Sequence, residues 1–317
     1  MTDTTPTAPD PARIARAEAA LIGALVADAA ALGLHWLYDP ERIAELGEPL
    51  AFREPDPEDF ADAAGVFVHH GKRAGDGSHY AMQMRVAMRA IGDAGGGWDR
   101  TAHQDRFAET FGPGGTWTGY VDRPTRGTLA NLAADRRDPS GVEDDQLPAL
   151  TSVIPLLCRP QGARTAEIDL AVAVTSLGDG ARDWSRAFAR MLAAALDGAS
   201  LPDALEAGEE NAPDLVAGAL AAARTSLHPD PVKFAGEVGR ACHLPMGLPV
   251  VAHILHRISD PREAMEANIR AGGDSCGRGL PLGALLGATG RLPPPLWLIR
   301  LRDGEEIAAE IAGVAHP

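Results

Sequence analysis

Apolar residues along this chain recur at steps of three and four almost everywhere, which is the spacing of one buried face on an α-helix. In the first such stretch Ile14, Ala17, Leu21, Leu25, Ala29 and Leu32 form a single stripe. A second runs from Ser78 to about Ile91, with Tyr80, Met84, Met88 and Ile91 on one side, Ser78 as N-cap and Gly95 to Gly97 as terminator. The same periodicity predicts helices over about 101–111, 124–136, 144–157, 164–177, 181–197, 201–210, 214–226, 231–242, 249–258, 261–271, 278–288 and 303–313, separated by Gly, Pro, Asp or Ser. Alternating strand patterns are nearly absent. Gly65-Val66-Phe67-Val68-His69 is the best of them, and it is short enough to be an extended loop.

No fixed-period repeat suggests a solenoid. The expectation is an all-α fold, one compact many-helix domain over residues 12–317 behind a polar, Thr- and Pro-rich disordered leader over residues 1–11. Two long irregular segments interrupt it, Trp36 to about Ser78 and the glycine-rich run Gly112 to Tyr120. Long loops in a compact helical protein are usually functional or mobile.

The chain has 317 residues, 45% of them hydrophobic and 23% charged, with a formal net charge of −15. That charge speaks against a nucleic-acid partner. The leader lacks the basic start and apolar run of a signal peptide. The longest apolar stretch, Ala19 to Leu34, carries Asp28 in its middle, so no membrane partner is expected. Three cysteines (Cys158, Cys242, Cys276) form no disulfide framework, which suggests a reducing cytoplasmic location.

Four segments hold candidate chemistry. Asp28 lies on the core-facing stripe, so it must meet a donor, a cation or a metal; capping a neighbouring helix and lining a site are both open. His35 and Trp36 follow within two turns and could line the same cavity. Gly75-Asp76-Gly77-Ser78-His79-Tyr80 opens a helix, and N-capping explains Gly77 and Ser78 but not Asp76 with His79.

The third segment is Gly272-Gly273-Asp274-Ser275-Cys276-Gly277-Arg278-Gly279, at the mouth of an apolar helix. Its glycines are expensive in backbone entropy and suit close approach of a ligand or a neighbouring chain segment. A helix N-terminus there would favour anions and would lower the pKa of Cys276. Taken singly, Asp274 could be an N-cap, Cys276 a core residue and Arg278 a surface charge. Pro281 falls inside the expected helix and implies either a later start or a kink. The fourth is Ala241 to Pro249, with Cys242 and His243 leading into a helix that bears His253 and His256; it fits no structural zinc pattern. His69-His70, followed by Lys72 and Arg73, reads as a solvated loop.

These segments, in this order, resemble the ADP-ribosylglycohydrolase family, and within it the branch similar to jellyfish J1 crystallin. The similarity runs from Ala20 to about Gly290. Gly23 to Gly33 looks like the family's first-helix signature, Gly75 to Tyr80 takes the place of its first acidic metal motif, and Gly272 to Gly277 that of its last, Gly-Gly-Asp-Thr-Asp-Thr. The resemblance implies an all-helical fold whose cleft holds two Mg²⁺ ions that orient the ribose of an ADP-ribosyl group for displacement by water. This chain departs from the pattern. His79 and Tyr80 stand where the first motif has paired aspartates, and Cys276 and Gly277 replace the second aspartate and following threonine of the last. Asp274 is retained, with Asp76 as a shifted substitute. No firm cofactor is therefore expected: Mg²⁺ enters only through the resemblance, and Asp274 is the position that would hold a metal if one binds.

Three functions compete. The first is a hydrolase acting in a cleft between helices on an ADP-ribosyl or other N- or O-glycosidic, nucleotide-like small molecule, without the dinuclear site. Asp274, Asp76, His79 and Cys276 are its catalytic candidates; Asp28, His35, Trp36, Ser78, Tyr80, Tyr120, His243, Gly273, Ser275 and Arg278 are its substrate-binding candidates. The second is a non-catalytic binding or crystallin-like protein. The third is a hydrolase or transferase with Cys276 as nucleophile and His79 or His243 as base. Substrate, leaving group and oligomeric state stay open.

Overall fold

The computed structural model describes residues 10–317, so the leader expected over 1–11 falls mostly outside the described residues. Its last two positions are not leader: Asp10 caps the first helix and Pro11 begins it. In chain order the helices are α1 (Pro11–Ala31), α2 (Pro40–Leu46), α3 (His79–Asp93), α4 (Arg100–Phe111), α5 (Arg123–Ala133), α6 (Val153–Cys158), α7 (Thr165–Val172) and α8 (Asp179–Leu196). They continue as α9 (Leu201–Ala207), α10 (Asp214–Thr225), α11 (Pro231–Val238), α12 (Leu244–Arg257), α13 (Pro261–Arg270), α14 (Ser275–Ala288), α15 (Pro295–Leu298) and α16 (Gly304–Ala315). Two two-residue strands, Val142–Glu143 and Ser176–Leu177, pair in parallel beside them.

Aspartate punctuates this chain. Asp10, Asp39, Asp230 and Asp260 each cap a helix whose first residue is proline, and Asp122 caps α5 with proline at its second position. The carboxylate satisfies orphan N–H groups, and proline loses nothing where no intrahelical bond exists.

The core is organised by one antiparallel pair, α1 and α14. Gly279, Gly283 and Gly287 recur every four residues on α14 and meet Ala27, Gly23 and Ala19 of α1 in reverse order. A Cβ on Gly283 or Gly287 would run into the facing carbonyl, so the two backbones touch directly. Both helices are consequently buried almost all round, α14 along its whole length and α1 from Ala20 onward apart from Ile22. By length and composition Pro11–Leu34 would suffice to cross a membrane, but here it is the central helix of the core.

Several helix expectations are corrected. Residues 144–157 do not form one helix: the turn Leu147–Leu150 is closed by the Thr151 hydroxyl donating to the Pro148 carbonyl at 2.7 Å, and only Val153–Cys158 is α-helical. The helix expected over 231–242 stops at Val238, because Gly239 takes a φ of 118°. That expected over 164–177 stops at Val172 and gives way to the second strand. The helix expected from 249 starts at Leu244 with Pro249 inside it. Pro281 neither delays nor ends α14. It only removes the N–H that the Gly277 carbonyl would have accepted.

The segment from Trp36 to Ser78 contains α2 and a short 3-10 turn, Pro57–Phe60. It is pinned by the Tyr38 N–H donating to Ala64 at 2.7 Å and the Val66 N–H donating to Trp36 at 3.1 Å. Those bonds carry the 65–69 stretch, an extended loop, back beside His35.

Candidate functional site

Three helix N-termini meet beside the turn that follows α1. From α3 come the N-cap Ser78 and the first two helical residues, His79 and Tyr80. The N-caps of α5 and α14 supply Asp122 and Asp274. His35 and Trp36 complete the group. A carboxylate at a helix start is favoured by the aligned peptide dipoles, which helps two acids persist in this interior.

Asp274 is the hub and is fully buried. Its Oδ1 accepts the Gly277 N–H at 2.9 Å and lies 2.8 Å from His35 Nε2, while Oδ2 takes only a long contact from the Tyr80 hydroxyl at 3.4 Å. His35 Nδ1 is 2.8 Å from His69 Nε2. Burial drives the His35 imidazole below its ordinary pKa despite Asp274, and drives His69 well below it. The solvated-loop expectation holds for His70, which is exposed, but not for His69, which retains only 5% of its surface.

Around this line stands an aromatic wall. The Trp36 ring lies 5.0 Å from Tyr120, 4.9 Å from His35 and 6.4 Å from His79, and His79 packs 3.9 Å from Tyr80. Trp36 has a φ of 69°, a strained conformation for so bulky a residue, held by its N–H donating to Gly273 at 2.8 Å. The Gly273 N–H in turn donates to Leu37 at 2.7 Å, and at a φ of 71° only glycine fits there comfortably. Gly273 thus positions Trp36 through its backbone.

His79 Nε2 is 3.3 Å from Asp122 Oδ2, near enough for charge attraction but misaligned for a hydrogen bond. Both His79 ring nitrogens and the Trp36 indole N–H are buried with no partner. Burial raises the Asp122 carboxyl, but His79 and Thr125 outweigh it and hold it below the usual carboxylate range. Gln83 donates to Asp122 at 3.2 Å and to Thr125 at 3.1 Å.

Asp28 lies one step behind. It accepts the Ser78 N–H at 2.8 Å and the Ser78 hydroxyl at 2.5 Å, while that hydroxyl caps α3 by accepting from the Tyr80 N–H at 3.1 Å. Burial raises its pKa to about 6 even against these bonds. Asp28 and Ser78 brace the start of α3, which is the helix-capping alternative.

Several candidates stand elsewhere. Asp76 accepts the Arg73 N–H at 2.7 Å and faces Arg302 at 3.6 Å, lining a small cavity of about 50 Å³ with Lys72, Arg85 and Trp117. Cys276 is sealed; its thiol donates to the Asp28 carbonyl at 3.4 Å, and burial pushes its pKa well above normal. That is the reverse of an activated nucleophile. Arg278 is not a surface charge. It is fully buried, donating to Asn268 Oδ1 at 2.9 Å and to the Gly272 carbonyl at 2.6 Å, and so holds the glycine turn. The Ser275 side chain is buried without a partner, and its carbonyl accepts from Asn268 at 2.8 Å. His243 sits on the half-exposed rim against Asp145 at 2.5 Å.

Of the turns around 28, 76–79 and 274–278, expected to share one solvent-reachable hollow, Asp28, Ser78, His79 and Asp274 come together, Asp76 and Arg278 stand apart, and the group is sealed instead of open. Asp28, His35, His79, Tyr80 and Asp274 each keep 1% of their surface or less. Asp122, Gln83 and His69 were missed. Asp122 had a helix-start signal in Asp-Arg-Pro-Thr, and Gln83 stands four residues after His79 on the same face of α3. Nothing local marked His69.

The donor set does not suit the magnesium pair implied by the resemblance. The groups that meet the Asp274 carboxylate are an imidazole, a phenol and a backbone N–H, whereas Mg²⁺ takes oxygen ligands in octahedral array. Among the described residues no group of three or more His, Cys, Asp or Glu is disposed to hold a metal ion.

A sequence model of the ADP-ribosylglycohydrolase family matches residues 9–316. Crystallin J1A of Tripedalia cystophora is 25% identical over 311 residues, spanning 92% of this chain and 94% of that protein. Among solved structures, one described as an ADP-ribosylglycohydrolase-related protein complex superposes with a TM-score of 0.71 at 21% identity, covering 96% of this chain and 98% of the other. At that identity the likeness speaks for the fold.

Proposed function

The chain belongs to the ADP-ribosylglycohydrolase family, and from that premise we propose that it hydrolyses the glycosidic bond of a nucleotide-like small molecule, ADP-ribosyl or another N- or O-glycoside, without a magnesium pair. One observation carries the reading. Asp274 Oδ1 is filled by His35 and Gly277, whereas Oδ2 holds only the 3.4 Å contact from Tyr80. Oδ2 is the lone pair left to take a proton from water as the water oxygen attacks the anomeric carbon. The glycosidic bond breaks with its electron pair going to the leaving atom. His79, beside Asp122 and with unpartnered ring nitrogens, is the group placed to protonate that atom. Trp36 and Tyr120 offer faces for a flat base, and because Asp274 is sealed, entry requires this wall to move.

That same sealing, together with the similarity to crystallin J1A, favours a second reading, a non-catalytic protein of the same fold. The test is release of ADP-ribose or free sugar from ADP-ribosylated and N-glycosidic substrates, in chelator and again with added Mg²⁺. Chelator-resistant turnover that falls about 10²-fold or more in Asp274→Asn is expected. Turnover that requires Mg²⁺, or that survives in Asp274→Asn, refutes the mechanism. A folded wild type inert toward every such substrate passes the protein to the second reading.

A further inference from the structure

We propose that residues 67–73 are a strap that swings away to admit substrate to Asp274, and that Lys72, seated on the ring of Trp117, is the clasp that holds it shut. Admission of substrate rests on the hydrolase reading; the opening of the strap stands on geometry alone.

The strap is tied firmly only beyond its two ends. Before it, the Val66 N–H donates to Trp36 at 3.1 Å. After it, the Ala74 N–H donates to the Glu54 carboxylate at 3.0 Å, and the Gly75 carbonyl accepts from Arg302 at 2.9 Å. Among the described residues, the N–H groups from Phe67 to Gly71 make no hydrogen bond within the protein. Those of Lys72 and Arg73 reach only near neighbours, His69 at 3.1 Å and Asp76 at 2.7 Å. His70, Gly71 and Arg73 are exposed, and Gly71 and Gly75, at φ of 75° and 92°, are pivots without a side chain to strain. A segment with so few buried apolar contacts opens at a small fraction of the free energy of global unfolding.

Three side chains hold the strap down. Phe67 meets Phe60 edge to face, with ring centres 5.4 Å apart. His69 covers the His35 ring, with Nε2 2.8 Å from His35 Nδ1. Lys72 Nζ stands 3.8 Å from the centre of the Trp117 ring, while its acidic neighbours Asp76, Asp28 and Asp303 attract it only from a distance. Trp117 is a fixed post. Its N–H donates to Thr110 at 3.0 Å and its indole N–H to the Tyr120 carbonyl at 3.1 Å, and it packs on Val86, Phe107 and Phe111, a cluster separate from the main core. Lys72 thus fastens the strap to the loop that carries Tyr120. Beneath it, His35 packs 4.9 Å from Trp36 and meets Asp274 at 2.8 Å. With His69 lifted, His35 and Trp36 have room to turn aside, and Asp274 comes within reach.

The experiment treats the full-length protein with diethyl pyrocarbonate, which acylates an imidazole nitrogen once the reagent can reach it, and follows each histidine by peptide mass. His35 and His69, with exposures of 0% and 5%, report on the strap; His103 and His253, at 3% and 0%, lie under other parts of the fold and serve as references. In Lys72→Ala, His35 and His69 should label about 3- to 10-fold faster than in wild type, the gain in open population that loss of an ordinary cation–π contact gives. Lys72→Arg, which keeps a cation on the ring, should label at the wild-type rate. Trp117→Leu should reproduce the acceleration, and the double variant should add nothing, because either change undoes the same clasp. Unchanged His35 and His69 rates in Lys72→Ala or in Trp117→Leu overturn the proposal. So does equal acceleration at His103 and His253, which would mean that the whole fold had loosened. Should one variant fail to fold, the other carries the same comparison. A wild type inert toward every glycosidic substrate would sink the hydrolase reading and leave the labelling result standing.

Discussion

Replacing Asp28 by asparagine should reveal an ionisation that works against the fold. The carboxyl is fully buried, and its pKa rises from 3.8 to about 6, chiefly through desolvation that the two Ser78 bonds only partly offset. A raised acid pKa means that the native state binds the proton more tightly than the unfolded chain. Stability from this group is therefore greatest below pH 3.8 and declines as pH climbs to about 6, with little further change above. A shift of this size corresponds to about 3 kcal/mol between the two limits. Asparagine cannot ionise, yet its carbonyl can still accept the Ser78 N–H. The measurement is urea unfolding of wild type and Asp28→Asn at intervals from pH 4 to pH 8. Other titrating groups cancel in the difference. The variant's stability relative to wild type should improve by about 2.4 kcal/mol from pH 4 to pH 7, the unfolded carboxyl being already more than half ionised at pH 4, and then flatten. A constant difference over that range would refute the reasoning, because it would mean that Asp28 is solvated or that its charge is compensated.

The α1–α14 contact predicts opposite outcomes for two glycine-to-alanine changes. Gly283→Ala must push the Gly23 backbone away and should cost about 1–3 kcal/mol. Gly218→Ala, in α10 with nothing within 4 Å of the new Cβ, should gain about 0.5–1 kcal/mol; thermal melts of both decide. Cysteine chemistry is excluded if iodoacetamide at pH 7.5 labels Cys276 only after unfolding, as its sealed, high-pKa thiol implies. Cys158 and Cys242, pushed up to about 12 by burial, should also label slowly in the native protein. Selective native labelling of Cys276 would overturn the description of that thiol.

The local steps were legible in the order of residues. Periodicity predicted α1, α3 and most later helices because a helix that buries one face must repeat its apolar positions every three or four residues. It failed over 144–157, where a hydroxyl closed a turn that hydrophobic spacing alone cannot register. Asp28, His35, Trp36, Tyr80, Tyr120 and Asp274 could be picked out because a carboxylate on an apolar stripe, or a glycine pair before a helix, is costly without a purpose. What each of them does depended on neighbours far away in the chain. Cys276 reads as an activated thiol from its place at a helix start, but the α1 backbone closes over it. Arg278 reads as a surface charge until Asn268 and Gly272 surround it. His69 carries no mark in its own segment, and it matters only because loop 65–69 pairs with residues 36–38 and sets it against His35. The sequence by itself determined the family, the helical class and the helix starts, since those depend on residues a few positions apart. Burial, ion pairing and hydrogen-bond partners depend on groups brought together through space, and only the packing of α1 against α14, with the three helix starts gathered at its end, decided them.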